Sequence, residues 1–243
     1  MQSIKRFGNG MPTIVNNKIE DGCIFENTLV GIGTIIIDVD FINEMKLIAD
    51  EVKDDKSFIS LLTKIYSKVN DYFSSSYVNE QSREQTYSNN VVIDEEGMII
   101  GTKMSSLKGK NISKCSEKSI AAYIILEKLN SMGIMSRKPA LTLSQLSTES
   151  TKAEPHAFVM LNNDQSDSST KHILFDIENP TLVENKSGQK QYFIGLYSLT
   201  DEQYEKFLNG SECTPTSLYE IISEYHEVDS KRTYGNIKQT KSL

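Results

Sequence analysis

The sequence has few of the residues that mark several large classes of protein. It contains no tryptophan, three cysteines and three histidines in 243 residues. Three cysteines cannot make a disulfide framework for a chain of this length, and their odd number leaves at least one thiol outside any disulfide. Acidic side chains outnumber basic ones by 33 to 26, so we do not expect a nucleic-acid-binding protein, which normally has a basic face.

Long hydrophobic runs are also missing. The longest run, 29–39, is interrupted by glycines and is much shorter than the ~20 residues that a membrane-spanning helix needs. Lys5 and Arg6 are not followed by an apolar segment, so no secretory signal peptide is expected. We therefore expect a soluble protein without a membrane span, located in the cytoplasm or secreted by a route that needs no signal peptide.

The common cofactor and metal motifs are absent from the sequence. It has no Walker loop, no Rossmann glycine pattern and no His-x-x-x-His pair. The glycines within 31–33 are more typical of close packing, and Asp94-Glu95-Glu96 is more typical of a solvated turn than of a cation site. We therefore expect neither a cofactor nor a metal ion.

Hydrophobic periodicity predicts an α+β domain with helices packed on an antiparallel sheet. We expect residues 1–28 to be loosely ordered, 29–226 to form a single α+β catalytic domain, and 227–243 to be a flexible, mildly basic tail. The segment 74–90 has almost nothing to bury and is predicted to be a long surface loop or lid. Strands are predicted at 29–39, 91–93, 98–101, 156–161, 172–177 and 191–198. Helices are predicted after Asp40, at 57–73, at 116–130 with Gly133 ending it, at 200–209 behind a Thr200/Gln203 capping box, and after Thr214-Pro215.

Cys115 occupies the first turn of the most strongly helical segment. Backbone N–H groups and the positive end of the helix dipole favour the thiolate over the thiol at such a position, and Lys114 and Lys118 add positive charge nearby. Cys213, just before the last predicted helix, is the next-best candidate nucleophile, whereas Cys23 lies in an irregular segment. The alternative is that Cys115 is a small core residue, which is the more common role of a buried cysteine.

His156 and Asp176 are candidates for the base and the orienting group that a thiol nucleophile needs. His156 begins one predicted strand, and Asp176 lies near the end of the next. A symmetric hairpin that sets Leu161 opposite Lys171 also sets His156 opposite Asp176, with Cβ atoms about 4.5–5.5 Å apart. A one-residue slip would place them on opposite faces. Because a carboxylate inside an apolar strand is costly without a partner, we expect the two side chains to pair.

These segments resemble the transglutaminase-like branch of the papain-fold thiol enzymes. The resemblance depends on a helix that opens with Cys115 and ends in Gly133-Ile134, on His156 at the start of a strand, and on Asp176 shortly before Pro180. It implies a papain-like or transglutaminase-like fold and a catalytic triad of Cys115, His156 and Asp176. For the oxyanion hole, the backbone N–H of Cys115 is one donor and Asn111 is the candidate for the second.

The resemblance further implies a thiol enzyme whose substrate is a protein. Its cysteine would attack a glutamine side chain or a peptide bond and form a thioester. Resolution by water would make it a protease or a glutamine deamidase, and resolution by an amine would make it a transglutaminase; the sequence does not choose between them. A bacterial effector delivered by a dedicated secretion system fits this class. The alternatives are a non-catalytic protein-binding module with the same fold, or a structural protein that uses 74–90 as its contact surface. The sequence leaves the oligomeric state open.

Overall fold

The chain folds into two compact units. The computed structural model describes residues 4–6, 13–26, 34–74, 80–93, 95–97, 99–147, 154–166, 170–219, 226–227 and 232–234. The first unit comprises Met1–Phe7 and Asn17–Met135, and the second comprises Gly8–Asn16 and Ser136–Leu243. The α+β class is confirmed, and the range 29–226, predicted to be a single domain, includes residues of both units.

The elements of the described residues follow one another as a helix-rich part and then a strand-rich part. In chain order they are β1 (Ile4–Arg6), β2 (Thr13–Val15), β3 (Ile24–Glu26), β4 (Ile35–Ile36), α1 (Val39–Val52), α2 (Phe58–Phe73), α3 (Glu80–Asn89), β5 (Val91–Ile93), β6 (Ile99–Lys103), a 3₁₀ helix (Met104–Leu107), α4 (Cys115–Ser131), β7 (Lys138–Ser147), β8 (Glu154–Asn162), β9 (His172–Glu184), β10 (Lys190–Leu199), α5 (Asp201–Leu208), β11 (Thr216–Ser217), β12 (His226–Glu227) and β13 (Thr233–Tyr234).

Helix α4 is the centre of the first unit. Its residues from Ser116 to Leu126 are buried on every side, which is typical of a core helix, and α1 and α2 pack against it. Gly133 ends it as predicted, with a φ of 72° and its N–H donating to Asn130 O. No helix in the described ranges is long and apolar enough to cross a membrane.

Local capping sets where α1 and α2 begin. Asp38, and not Asp40, caps α1: its side chain accepts from the N–H of Phe41, and Asp40 lies in the first turn. Ser57 caps α2 in the same way. The predicted helix 57–73 is therefore confirmed, because both its apolar period and its cap agree with the structure.

Helix α3 lies within the segment predicted to be a surface loop. Of 74–90, residues 75–79 lie outside the described part of the chain, and 80–89 form a helix. Two of its side chains are buried, Arg83 and Tyr87, and they lie one turn apart on the same face. The prediction was wrong because a helix that buries one arginine and one tyrosine leaves no hydrophobic period to detect.

Each unit contains one sheet. The first unit has a mixed sheet with strand order β1-β3-β4-β6-β5, in which the predicted hairpin of β5 and β6 is confirmed. Of the predicted strand 29–39, residues 29–33 lie outside the described ranges and β4 covers Ile35–Ile36. The second unit has an antiparallel sheet with order β11-β10-β9-β8-β7-β13, to which β12 adds on β9 and β2 adds on β7.

The core of the second unit lies where this sheet meets α5. The Thr200/Gln203 capping box that opens α5 is confirmed by two reciprocal hydrogen bonds, and Asn209 ends the helix. The buried residues of this core come from β7, β8, β9, β10, α5 and the C-terminal segment; they are Ala140, Leu146, Phe158, Met160, Leu174, Tyr197, Leu199, Phe207, Cys213 and Tyr234.

Short strands lie near both ends of the chain. Of the segment 1–28 that is predicted to be loosely ordered, residues 4–6 and 13–26 are described, and within them β2 pairs with β7 and Val15 is buried. Of the predicted tail 227–243, residues 227 and 232–234 are described: β12 pairs with β9, β13 pairs with β7, and Tyr234 is fully buried. These strands are too short to show a period in the sequence, and the long strands that they join supply most of their stability. Of the helix predicted after Thr214-Pro215, residues 220–225 lie outside the described part.

Candidate functional site

The structure brings His156 and Asp176 together. His156 Nε2 lies 2.8 Å from Asp176 Oδ2, and both side chains are buried. The predicted face is confirmed but the register is shifted by two residues, since Leu161 pairs with Ile173 and not with Lys171. A shift of two keeps every side chain on its face and makes the two residues diagonal neighbours, a separation that a histidine can span.

Asp176 accepts five hydrogen bonds. Its Oδ1 accepts from the backbone N–H groups of Glu178 and Asn179, both at 3.1 Å. Its Oδ2 accepts from His156 Nε2, from Asn179 Nδ2 at 3.1 Å and from the Tyr234 hydroxyl at 2.9 Å. A carboxylate surrounded by donors alone is ionised, and the hydrogen bond therefore holds the imidazole with its proton on Nε2.

The pKa of Asp176 agrees with this geometry. Complete burial raises the pKa, but the neighbouring charge of His156 and the hydrogen bonds from His156 and Asn179 outweigh burial and lower it to about 2. The carboxylate thus stays charged at any pH at which the protein would act.

A bulge in β9 supplies two of these donors. Asp176 pairs with Gly195 and Thr181 pairs with Phe193, so the β9 residues 177–180 lie opposite a single residue of β10. The extra residues turn the N–H groups of 178 and 179 back onto the carboxylate. Pro180, which lacks an N–H, fits such a bulge because no ladder hydrogen bond is required of it.

Gly195 is the position on which this bulge depends. A Cβ at residue 195 would lie 2.4 Å from Asn179 O and 2.5 Å from Asp176 O, and both of these atoms belong to the backbone. We therefore expect Gly195→Ala to lower the free energy of unfolding by about 1–3 kcal/mol, the usual range for overpacking. Urea unfolding measures the loss. The backbone of Gly195 is not left-handed, so its loss reports the clash of the added Cβ. Gly188→Ala, with a φ of 78° and a Cβ that meets only a side-chain atom 3.8 Å away, measures the separate cost of a left-handed backbone.

Arg232 and Tyr234 reach the site from the C-terminal segment. Arg232 donates to Asn179 O at 3.1 Å and to Pro180 O at 2.9 Å, and it also donates to the Tyr197 hydroxyl. These contacts bind the carbonyl groups of the bulge, whose N–H groups donate to the carboxylate. The expectation of a solvated basic tail is thus wrong for Arg232.

Cys115 lies in the first unit, at the start of α4, and is partly exposed, whereas Cys23 and Cys213 are buried. Burial raises the pKa of Cys213 to about 12, which makes this second-choice thiol unreactive. Of the three cysteines, Cys115 alone combines access to solvent with a helix N-terminus.

A buried ion pair anchors the turn that carries Cys115. Glu117 accepts from Arg83 Nη2 at 2.5 Å, from the hydroxyl of Tyr87, and from the Lys114 N–H at 3.0 Å. Burial raises the pKa of Glu117, but the Arg83 guanidinium and the Tyr87 hydroxyl outweigh it and hold the pKa below its ordinary value. Helix α3 therefore binds the N-terminus of α4 through charge.

Asn111 lies in the loop before α4, in the same unit as Cys115. Its backbone is left-handed, with a φ of 53°, and its N–H donates to Phe73 O at 2.9 Å. This hydrogen bond fastens the loop to the end of α2. The role of Asn111 as an oxyanion donor stays a prediction.

A second histidine–aspartate pair lies at the start of β9. His172 Nε2 is 3.1 Å from Asp201 Oδ1, and Nδ1 is 2.8 Å from Asn162 Oδ1. The ring stacks on Tyr204, with centroids 3.9 Å apart. Burial lowers the pKa of His172, although the Asp201 charge acts in the opposite direction. Since Asp201 is half exposed, this pair offers a comparison for the buried one.

Sequence reasoning missed Asn179, Arg232 and Tyr234 in the second unit and the Arg83–Glu117 pair in the first. The asparagine had a signal, because Asn179-Pro180 interrupts an otherwise continuous strand. The glutamate also had one, because position N3 of a helix is the usual place for a capping carboxylate. Nothing in the local sequence marks Arg83, Arg232 or Tyr234.

The described residues contain no group of three or more His, Cys, Asp or Glu side chains that could hold a metal ion. Comparison with protein-family models, with curated proteins and with solved structures finds nothing that matches this chain. The functional proposal below therefore depends on the residues and their geometry.

Proposed function

We propose that the chain is a thiol enzyme in which Cys115, His156 and Asp176 act together on an amide bond of a protein substrate, with the transglutaminase-like, papain-type arrangement that the sequence resembles. The observation that supports this most is the His156–Asp176 pair: a buried imidazole is held by a carboxylate that has five donors. Such an arrangement fixes the ring's tautomer and stabilises its protonated form, as a general base requires.

The proposed reaction uses each residue at a stated atom. His156 takes the proton of the Cys115 thiol at Nδ1, because Nε2 is hydrogen-bonded to Asp176. The sulfur attacks the carbonyl carbon of a glutamine carboxamide or a peptide bond, the C–N bond breaks, and the imidazolium gives its proton to the leaving nitrogen. The result is a thioester on Cys115 and free ammonia or amine.

The second half of the reaction releases the acyl group. Water, deprotonated by His156, attacks the thioester and restores the thiol; with a glutamine substrate this is deamidation, and with a peptide bond it is proteolysis. A primary amine in place of water gives a cross-linked product. With casein as the substrate, ammonia release without added amine indicates deamidation, incorporation of a fluorescent primary amine indicates cross-linking, and shorter fragments on a gel indicate proteolysis; Cys115→Ala is the blank.

Alkylation tests the proposal without a known substrate. With limiting iodoacetamide near pH 6 and mass mapping of the three cysteine peptides, we expect Cys115 to react first. Replacing His156 by alanine should slow that reaction about tenfold or more, because the thiolate loses its partner cation. Partial exposure alone would favour Cys115, so the dependence on His156 is the decisive result.

His172→Ala is the matched control for this experiment. It removes a second buried histidine of the same sheet, together with its contact to Asp201, and should leave the alkylation of Cys115 unchanged. Equal rates in the wild type, His156→Ala and His172→Ala would contradict the proposal and favour a non-catalytic binding module.

A further inference from the structure

Tyr234 and His156 both form a hydrogen bond with the same oxygen atom, Oδ2 of Asp176. The Tyr234 hydroxyl donates to Asp176 Oδ2 at 2.9 Å, and His156 Nε2 contacts the same oxygen at 2.8 Å. All three side chains are buried. Away from water, each donor on an ionised oxygen draws on the same negative charge, so a change in one hydrogen bond alters the others.

The tyrosine is held firmly enough to act as a fixed donor. Its N–H donates to Cys213 O at 2.8 Å and its carbonyl accepts from Cys213 N at 2.7 Å. Its ring packs edge-on against Phe158, with centroids 5.3 Å apart, and lies 6.1 Å from the ring of His156. Burial and the charge of Asp176 raise the pKa of Tyr234 well above its ordinary value, so the hydroxyl keeps its proton.

Two further side chains lie near this tyrosine. Tyr197 on β10 lies 5.9 Å from the Tyr234 ring, centroid to centroid, and Arg232 contributes positive charge. Arg232 also donates to the carbonyls of Asn179 and Pro180. The segment around β13 therefore contacts both the carboxylate and the bulge that supplies its other donors.

We propose that Tyr234 is a positioning residue for the His156–Asp176 pair: its hydroxyl holds Asp176 Oδ2 in place and reduces the negative charge that the imidazole meets. The proton affinity of His156 is thus set by β13 as well as by β8 and β9. This assignment describes the folded protein at rest, and only its bearing on catalysis rests on the proposed function.

Tyr234→Phe removes the hydroxyl and keeps the ring. With one donor fewer, Asp176 Oδ2 stabilises the imidazolium more strongly, so the midpoint of the His156 titration should rise by about 0.5–1 pH unit. NMR titration of the imidazole nitrogens measures it. The chain has three histidines, so His172→Gln and His226→Gln complete the assignment.

Tyr204→Phe is the matched control. Tyr204 stacks on His172 and accepts a hydrogen bond from Asn162, so its loss should change the titration of His172 and leave that of His156 in place. An unchanged His156 midpoint in Tyr234→Phe, or an equal change in Tyr204→Phe, would overturn the proposal.

A second replacement should shift the His156 midpoint in the opposite direction, and it tests the proposal even if Tyr234→Phe does not fold. Incorporation of 3,5-difluorotyrosine at position 234 keeps the ring and the hydroxyl and makes that hydroxyl a stronger donor. The His156 midpoint should then fall. A rise, or no change, would mean that the tyrosine acts through packing alone and would refute the positioning role.

The outcomes also separate this inference from the proposed function. If the His156 titration responds as described but His156→Ala does not slow the alkylation of Cys115, the positioning role stands and the thiol-enzyme proposal fails. If alkylation depends on His156 but the His156 titration does not change with residue 234, the thiol-enzyme proposal stands and the positioning role fails.

Discussion

Asparagine in place of Asp176 should lower the free energy of unfolding by about 3–5 kcal/mol, because at least two buried donors then lose their acceptor and each such donor costs about 1–3 kcal/mol. Oδ1 accepts two backbone N–H groups, and Oδ2 accepts three side-chain donors. Whichever way a carboxamide turns, its NH₂ group therefore faces other donors, and His156 loses the charge that holds it. Urea unfolding of Asp176→Asn measures the effect.

Asp201→Asn is the control for this comparison. It alters the second histidine–aspartate pair, between the start of β9 and the start of α5, where the carboxylate is half exposed and water can replace the lost contact. Its effect should be much smaller. Equal losses in the two variants would mean that burial of the Asp176 site contributes nothing to its energetics.

The stability difference between the wild type and Asp176→Asn should depend on pH. The pKa of Asp176 is lowered from 3.8 to about 2 in the folded chain, so its ionised form stabilises the protein above about pH 4, and this contribution is lost as the pH falls through 2. The stability difference between the wild type and Asp176→Asn should shrink by roughly 2 kcal/mol between pH 5 and pH 2. A constant difference would contradict the lowered pKa.

Arg83→Met should be the second strongly destabilising substitution, at about 3–5 kcal/mol. It leaves the Glu117 carboxylate buried without its counter-ion, and both residues of the pair are almost completely inaccessible. Glu117→Gln should cost a similar amount, since it leaves a buried guanidinium. In the double variant, the loss of unfolding free energy should be about 2 kcal/mol smaller than the sum of the two single losses. The second change removes the charge that the first leaves unpaired.

The ion pair between Lys108 and Glu44 is the matched control in the same unit. Its lysine side chain is 56% exposed, so Lys108→Met should cost less than about 1 kcal/mol.

Additive losses in Arg83→Met and Glu117→Gln would show that these two residues stabilise the fold independently, and the coupling proposed here would then be wrong.

The sequence predicts those parts of the fold in which many residues repeat one pattern. Helix α2 and the strands β8, β9 and β10 follow from apolar periodicity, and α5 follows from its capping box. The common face of His156 and Asp176 follows in the same way, because the two-residue error in register leaves the alternation of faces unchanged. Periodicity identifies a face reliably and a register poorly.

Elements that depend on one or two polar side chains were not predictable. Helix α3 is held by Arg83 and Tyr87 and has no apolar stripe. Strand β13 has two residues, and the residues around it look like a solvated tail until Tyr234 is placed beside Asp176. In both cases the partner lies far away in the sequence, so no local pattern records the contact.

The two backbone donors to Asp176 have a consequence for how the chain can vary. An amide hydrogen belongs to the main chain and is present whatever side chain the residue carries, with proline as the exception. Position 178 can therefore accept many replacements while Oδ1 keeps its hydrogen bond, whereas the three contacts to Oδ2 each need one particular side chain. Half of this carboxylate's environment is robust to mutation, and the half that faces the imidazole is not.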